Sequence, residues 1–246
     1  MAGASAERQE MGLIKKINAA VKANKGNPIT LVSADGTKIA NVTGAKKFTG
    51  RQASGSEPYT DVVITIGKKN SINISMKGEA APSLAGGGMR GINMAAPGLA
   101  AKFMKAVYTY LVKKAKINPG DKVPDVFGKI PPRIVKTIII GNVQMGGPID
   151  YMYIGPMDVS GIYNKNTNTL PLNGSFTEAA KYAKKYDFYF RLRARREDQR
   201  FDPNAKDSDG VPKIYGKSPS RGDSAGRMVI ISEDTLPRNA ATVDIE

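Results

Sequence analysis

The chain has 246 residues, 41% of them hydrophobic, and carries 37 Lys and Arg against 22 Asp and Glu, a formal charge of +15. It contains no Cys and no His, which excludes disulfides, thiolate nucleophiles, zinc ribbons, iron–sulfur sites, Ser-His-Asp chemistry and every His-ligated metal. A metal would have to sit on carboxylates, carbonyls and water, which favours hard ions such as Mg²⁺ or Mn²⁺. The length suits one domain with decorations. The charge attracts polyanions, nucleic acid foremost, against the alternative of a generally basic, solvated surface. No apolar run reaches the roughly 18 residues of a membrane span and no signal-peptide core is evident, so a soluble cytoplasmic protein is expected.

Ala6, Met11, Leu13, Ile14, Ile17, Ala20 and Val21 recur mostly at three- and four-residue steps. This spacing predicts an amphipathic helix capped by Ser5 and stopped near Gly26 and Pro28. Ile29 to Val32, a turn at Asp35-Gly36 and Lys38 to Val42 predict a hairpin. The polar, basic stretch from Gly44 to Ser56 reads as a connecting loop. Glu57 to Ile66 begins on an acid and becomes apolar, and Ser71 to Glu79 places Asn73, Ser75 and Lys77 on one face with Ile72, Ile74 and Met76 on the other. Both read as strands, and they direct Asp61 and Lys77 toward one place. Gly78 to Gly91 is too rich in glycine for a stable element. Its glycines and Arg90 would let it approach a phosphate backbone, although the Lys-Ser/Thr ending of a Walker motif is missing and a plain hinge is the simpler alternative.

A second amphipathic helix is expected over Pro97 to Ala115, with Lys102, Lys105, Lys113 and Lys114 beside the apolar stripe. Ile134 to Ile140 reads as a short strand buried on both faces, and Gln144 to Val159 as a further hairpin. Ser175-Phe176-Thr177-Glu178 has the pattern of a capping box opening a helix through about Lys185. From Phe188 to Arg196 the alternation predicts a strand with Phe188, Phe190, Leu192 and Ala194 inward. Tyr189, Arg191, Arg193 and Arg195 then line the other face at about 6–7 Å intervals, a spacing that suits the phosphates of one DNA strand. A solvated strand face is the alternative. Phe201 to Asp223 is a loop to which Lys217 and Arg221 add charge, Arg227 to Ser232 is a last strand, and a tail follows from Glu233.

Metal-assisted hydrolysis of a phosphodiester needs a carboxylate to hold the ion, a second oxygen ligand, and a cation to orient or acidify the attacking water. Asp61 followed by Ser75-Met76-Lys77 resembles the PD-(D/E)xK nuclease superfamily, and the order helix, antiparallel strands, helix, strand over roughly residues 5–140 is similar to its core. The resemblance implies an α/β, restriction-endonuclease-like core with a mixed sheet and an endonuclease that cuts DNA with Mg²⁺ or Mn²⁺. Phage-encoded enzymes are among such proteins, which implies a host-cell cytoplasmic or virion-associated setting, and homodimers are common among them. It gives Asp61 to the metal and Lys77 to the water. Two positions depart from the pattern: Ser75 stands where the family carries an acid, and Pro58 stands three residues before Asp61 rather than beside it. The missing ligand would come from Glu10 (or Glu7) on the first helix, from Glu57, or from Glu79. Arg90, Arg191, Arg193, Arg195, Lys217 and Arg221 would hold the DNA. The expected organisation is a nuclease-like core over residues 1–160 and a basic C-terminal α+β extension over 161–246 packed on it. Against this stand two alternatives. Asp61 and Lys77 could form an ordinary cross-strand ion pair, worth about 0–1 kcal/mol when exposed, and the whole chain could be a non-catalytic, basic nucleic-acid-binding or virion-associated protein on the same fold.

Overall fold

The apolar spacing near the N-terminus produces a helix, α1 (Ala2–Ala23), that turns Leu13, Ile14, Ile17, Ala20 and Val21 into a core. The computed structural model describes residues 2–50, 58–79, 88–193, 200–215, 217–218, 222–223 and 227–245, with backbone alone at 2–5, 88–90, 193, 217–218, 222–223 and 227. Because α1 begins at Ala2, Ser5 lies inside it rather than at its cap. The helix ends where Lys25 and Gly26 take positive φ values of 56° and 80° and the Gly26 amide donates to the Val21 carbonyl at 2.9 Å. Glycine reaches that conformation without a Cβ penalty.

In chain order there follow β1 (Ile29–Val32), β2 (Lys38–Lys47), β3 (Val62–Ile66), β4 (Asn70–Gly78), α2 (Gly88–Ala95), α3 (Leu99–Thr109), β5 (Val126–Lys129), α4 (Pro132–Ile140) and β6 (Tyr151–Gly155). The remainder is β7 (Thr169–Pro171), β8 (Ser175–Glu178), α5 (Ala179–Lys185), β9 (Phe188–Arg193), β10 (Lys217–Ser218), β11 (Gly222–Asp223), β12 (Arg227–Ser232) and β13 (Ala241–Val243). The architecture is mixed α/β, and the chain divides into two units, one of residues 1–82 and 140–184, the other of 83–139 and 185–246. The expected boundary at residue 160 falls inside the first unit, where β7 and β8 form the two edges of its sheet.

That sheet has the strand order β7-β1-β2-β3-β4-β6-β8, parallel only at β7/β1 and β4/β6. Its central pair is the antiparallel β3/β4 with Val62 opposite Ile74. The buried faces of α1, β1 to β4 and β6 to β8 make one core, including Leu31, Val42, Ile64, Ile74, Tyr153 and Phe176. Each such side chain contributes roughly 1.5–3 kcal/mol relative to exposure. Two amides lock α1 to this sheet. Asn18 Nδ2 donates to the Ala45 carbonyl and Ala45 N–H to Asn18 Oδ1, both at 2.9 Å, beside a register shift between Val42 and Gly44. With this support β2 runs on to Lys47, into the stretch expected to be loop. At the other end Gln9, only 2% exposed, donates from Nε2 to the carbonyls of Gly155 (2.9 Å), Lys77 (3.1 Å) and Pro156 (3.1 Å).

The second unit is built on the sheet β12-β9-β5-β13, whose last pair is parallel, with a short hairpin of β10 and β11 besides. Phe103 of α3 packs on Phe190 with ring centroids 5.5 Å apart, and a Cβ at Gly128 would lie 2.7 Å from the Phe103 ring. Helix α3 continues into a π-helical turn at Tyr110–Lys114, within the span expected.

Several elements differ from expectation. Ile134 to Ile140 lies in helix α4, not in a strand. Pro132 suits a first helical position, and the burial of Val135, Ile138 and Ile139, with Lys136 and Thr137 between them, follows helical spacing. Ser175 to Glu178 is strand β8, paired antiparallel with β6, and the helix starts only at Ala179. Gln144 to Val159 forms a 3₁₀ turn at Val143–Met145 and a single strand, β6, rather than a hairpin. Gly88 to Gly91 lies in α2, while residues 80–87 of the glycine-rich stretch lie outside the described residues. The tail contributes β13. No helix among the described residues is long and apolar enough to cross a membrane.

Removing the Gln9 amide leaves three buried or part-buried carbonyls short of a donor, so Gln9→Ala should lower unfolding free energy by about 1–3 kcal/mol. Urea denaturation against wild type checks this, and an unchanged midpoint would show that α1 is held by its apolar face alone.

Candidate functional site

Asp61 stands where β3 begins, with its backbone fixed on both sides: its N–H donates to the Ile74 carbonyl at 2.9 Å and its carbonyl accepts from Phe48 N–H at 3.0 Å. The side chain is thereby aimed along β4. Oδ2 accepts from Met76 N–H at 2.6 Å and from Ser75 Oγ at 3.3 Å. Lys77 and Glu10 both act on it electrostatically. Burial, the largest influence, pushes the Asp61 pKa above the ordinary carboxylate value and Glu10 adds to the rise, while the Lys77 ammonium, the Met76 amide and the Ser75 hydroxyl oppose it.

Glu10 arrives from α1 because its neighbour Gln9 is clamped to β4 and β6. Its side chain is 13% exposed. Oε2 is buried. Its nearest cation is Lys47 at the end of β2, whose Nζ pairs with it at 3.1 Å and lies 3.8 Å from Glu7 Oε1. The Lys47 pKa is pushed up by Glu10 foremost, with Glu7 and Asp61 contributing. One constellation therefore contains two carboxylates, Asp61 and Glu10, and two ammoniums, Lys77 and Lys47. The oxygen set is hard and anionic, the kind that Mg²⁺ and Mn²⁺ take, and Mg²⁺ commonly uses only one or two protein carboxylates and fills its shell with water and substrate phosphate. No group of three or more His, Cys, Asp or Glu converges among the described residues.

The other expected site residues fall as follows. Ser75 is 3% exposed and serves Asp61 as a donor. Glu79 is exposed beyond β4 and acts on the Tyr153 phenol, which burial pushes up to about 12. Glu57, Arg195 and Arg221 lie outside the described residues, and Arg90, Arg193 and Lys217 are described by backbone alone, in α2, β9 and β10. On β9 Phe188, Phe190 and Leu192 are fully buried. Arg191 on the opposite face is paired with Asp125, its Nε donating to Oδ2 at 3.0 Å and its terminal nitrogen reaching the same oxygen. It also lies 5.9 Å from the centroid of the Phe127 ring.

Sequence reasoning missed Gln9, Lys47 and Asp125. Gln9 falls on the apolar stripe of α1, three residues after Ala6 and four before Leu13, and that polar residue in an apolar register was the available signal. Lys47 was hidden in an apparent loop, and nothing local marks Asp125 as the partner of Arg191. No family model, curated protein or solved structure matches the chain.

A carboxyl whose folded pKa is raised favours its neutral form. Its contribution to stability is complete below the unfolded value, about 3.9, and is lost as pH rises through the higher folded value. Asp61→Asn keeps an oxygen for the Met76 amide and removes the buried charge. It should match wild-type stability at about pH 3 and exceed it near neutral pH. Thermal melts across that range test this; a variant less stable than wild type at neutral pH would make Asp61 a net structural anion.

Proposed function

We propose that the chain is a metal-dependent endonuclease that hydrolyses DNA phosphodiester bonds at Asp61, Glu10 and Lys77. The observation that carries this is the convergence of Asp61 and Glu10, two largely buried carboxylates from separate elements, beside Lys77, with Glu10 Oε2 facing the Lys47 ammonium at 3.1 Å. It answers the shortage created by Ser75: the second carboxylate comes from the first helix. The element order supports the resemblance to the PD-(D/E)xK nucleases. Helix α1 leads into the antiparallel β3/β4 pair bearing Asp61 and Lys77, and β6 then joins β4 in parallel.

A Mg²⁺ or Mn²⁺ ion held by Asp61 and Glu10 would supply Lewis acidity toward the phosphate and lower the pKa of a bound water. A strand residue presents its N–H and C=O to the same side, so the Met76 carbonyl offers a further hard oxygen next to its amide. Asp61 and Glu10 hold the cation. The Met76 amide and Ser75 hydroxyl fix which Asp61 oxygen remains free, and Lys77 orients the attacking water and offsets charge developing on the phosphoryl oxygens. The basic residues Arg90, Arg193, Arg195, Lys217 and Arg221 hold the DNA backbone, whereas Arg191 has its charge already engaged by Asp125. Phosphate contacts of this kind set affinity and salt dependence rather than sequence choice.

Plasmid nicking with Mg²⁺ or Mn²⁺ should be abolished by chelation and should fall at least about a hundredfold in Asp61→Asn, Glu10→Gln and Lys77→Ala, with each variant still folded. Full activity in Asp61→Asn would end the proposal. Salt-sensitive DNA binding with no cleavage by wild type would leave a non-catalytic nucleic-acid-binding protein.

A further inference from the structure

Lys47 has no part in the chemistry just described, yet its ammonium is the cation that meets the buried oxygen of Glu10. Its Nζ lies 3.1 Å from Glu10 Oε2 and 3.8 Å from Glu7 Oε1, and it acts electrostatically on Asp61 as well. The two glutamates differ in setting. Glu10 is 13% exposed, Glu7 is 68% exposed, and Lys47 itself is 48% exposed. Glu7 and Glu10 are three residues apart on α1 and so share a face. The strand end carrying Lys47 is fixed nearby through the Asn18–Ala45 bonds, which leaves the side chain as the part free to move.

We infer that Lys47 is a built-in counter-ion that fills the cation seat on Glu10 in the metal-free protein and transfers to Glu7 when a divalent cation binds. This rests on the reading of Asp61 and Glu10 as the metal site. A divalent ion on Glu10 Oε2 and an ammonium 3.1 Å from the same oxygen would stand within about 5 Å of each other and repel in this half-buried setting, which favours movement of the ammonium away. Without metal, Lys47 adds to Lys77 a second positive charge beside the two neighbouring carboxylates. With metal, the ammonium has a second, more solvated carboxylate within a short swing. Lys47 is thus a positioning residue whose displacement lowers the apparent metal affinity. Cation binding is correspondingly easier once Lys47 is gone, in contrast to a lysine that merely orients Glu10, whose loss would weaken binding.

The test is titration of the full chain with MnCl₂ alone, without DNA and at low salt, followed by calorimetry and by the electron paramagnetic resonance signal of free Mn²⁺. Wild type, Lys47→Met, Lys47→Arg and Asp61→Asn are compared, with thermal melts confirming that each is folded. Lys47→Met should bind about tenfold more tightly than wild type, the size expected for removing one partly screened like charge from an ion's site, and Lys47→Arg should resemble wild type. Affinity in Lys47→Met equal to or weaker than wild type, with Asp61→Asn binding lost, overturns the inference alone and leaves the metal site standing. Equal affinity in wild type and Asp61→Asn, or no binding in wild type and Lys47→Met alike, overturns the site and this inference with it.

Discussion

The buried amide of Gln9 is the constraint on which the candidate site depends. One carboxamide nitrogen meets three backbone carbonyls, two from the chain around β6 and one at the end of β4. Its two N–H groups are shared among these carbonyls, and burying a carbonyl that loses its donor costs about 1–3 kcal/mol. The bond set fixes the rotation and the axial position of α1. With Gln9 turned to β4 and β6, the next side chain along the helix is Glu10, and it comes within electrostatic reach of Asp61. Asn18 performs the same service two turns on by completing the backbone bonding of Ala45, and this carries β2 as far as Lys47.

The electrostatic setting of Asp61 differs from that of a stabilising ion pair. An ion pair formed for stability would hold Asp61 below the usual carboxylate range, because the adjacent ammonium favours the charged form. Here burial and the second carboxylate outweigh Lys77, Met76 and Ser75, and the pKa moves up. A buried carboxylate such as Asp61, shifted upward beside a second acid, costs stability in its charged form, and perturbed groups of this kind cluster at functional sites. Arg191 gives the contrast within the same chain. Its guanidinium is matched by Asp125 and lies near the Phe127 ring, an arrangement that satisfies itself and asks for no ligand.

Much of this was legible in the sequence, and the parts that were not share a cause. The periods of α1 and β9 emerge directly, since each buries one face and its apolar residues recur at the spacing of that face, whereas β3 and β4 bury residues on both faces. Glu10 was reachable as a ligand only through resemblance to a family that recruits an acid from its first helix. Ile134 to Ile140 reads as a strand because five of its residues are β-branched and apolar, although Lys136 and Thr137 between Val135 and Ile138 fit a helical face. The partners of Lys47 and Gln9 could not be read because they are long-range contacts: Gln9 to Gly155 spans most of the first unit's sequence.

The central claim is that Asp61 and Glu10 jointly hold a divalent cation for which Lys47 moves aside. Diffraction from crystals soaked in Mn²⁺, collected where manganese scatters anomalously, tests it most directly. The account predicts one strong anomalous peak roughly 2.1 Å from an oxygen of each carboxylate, with the Lys47 ammonium moved from Glu10 to Glu7. A crystal that takes up no manganese at these residues, or takes it up elsewhere while Lys47 stays on Glu10, would contradict it.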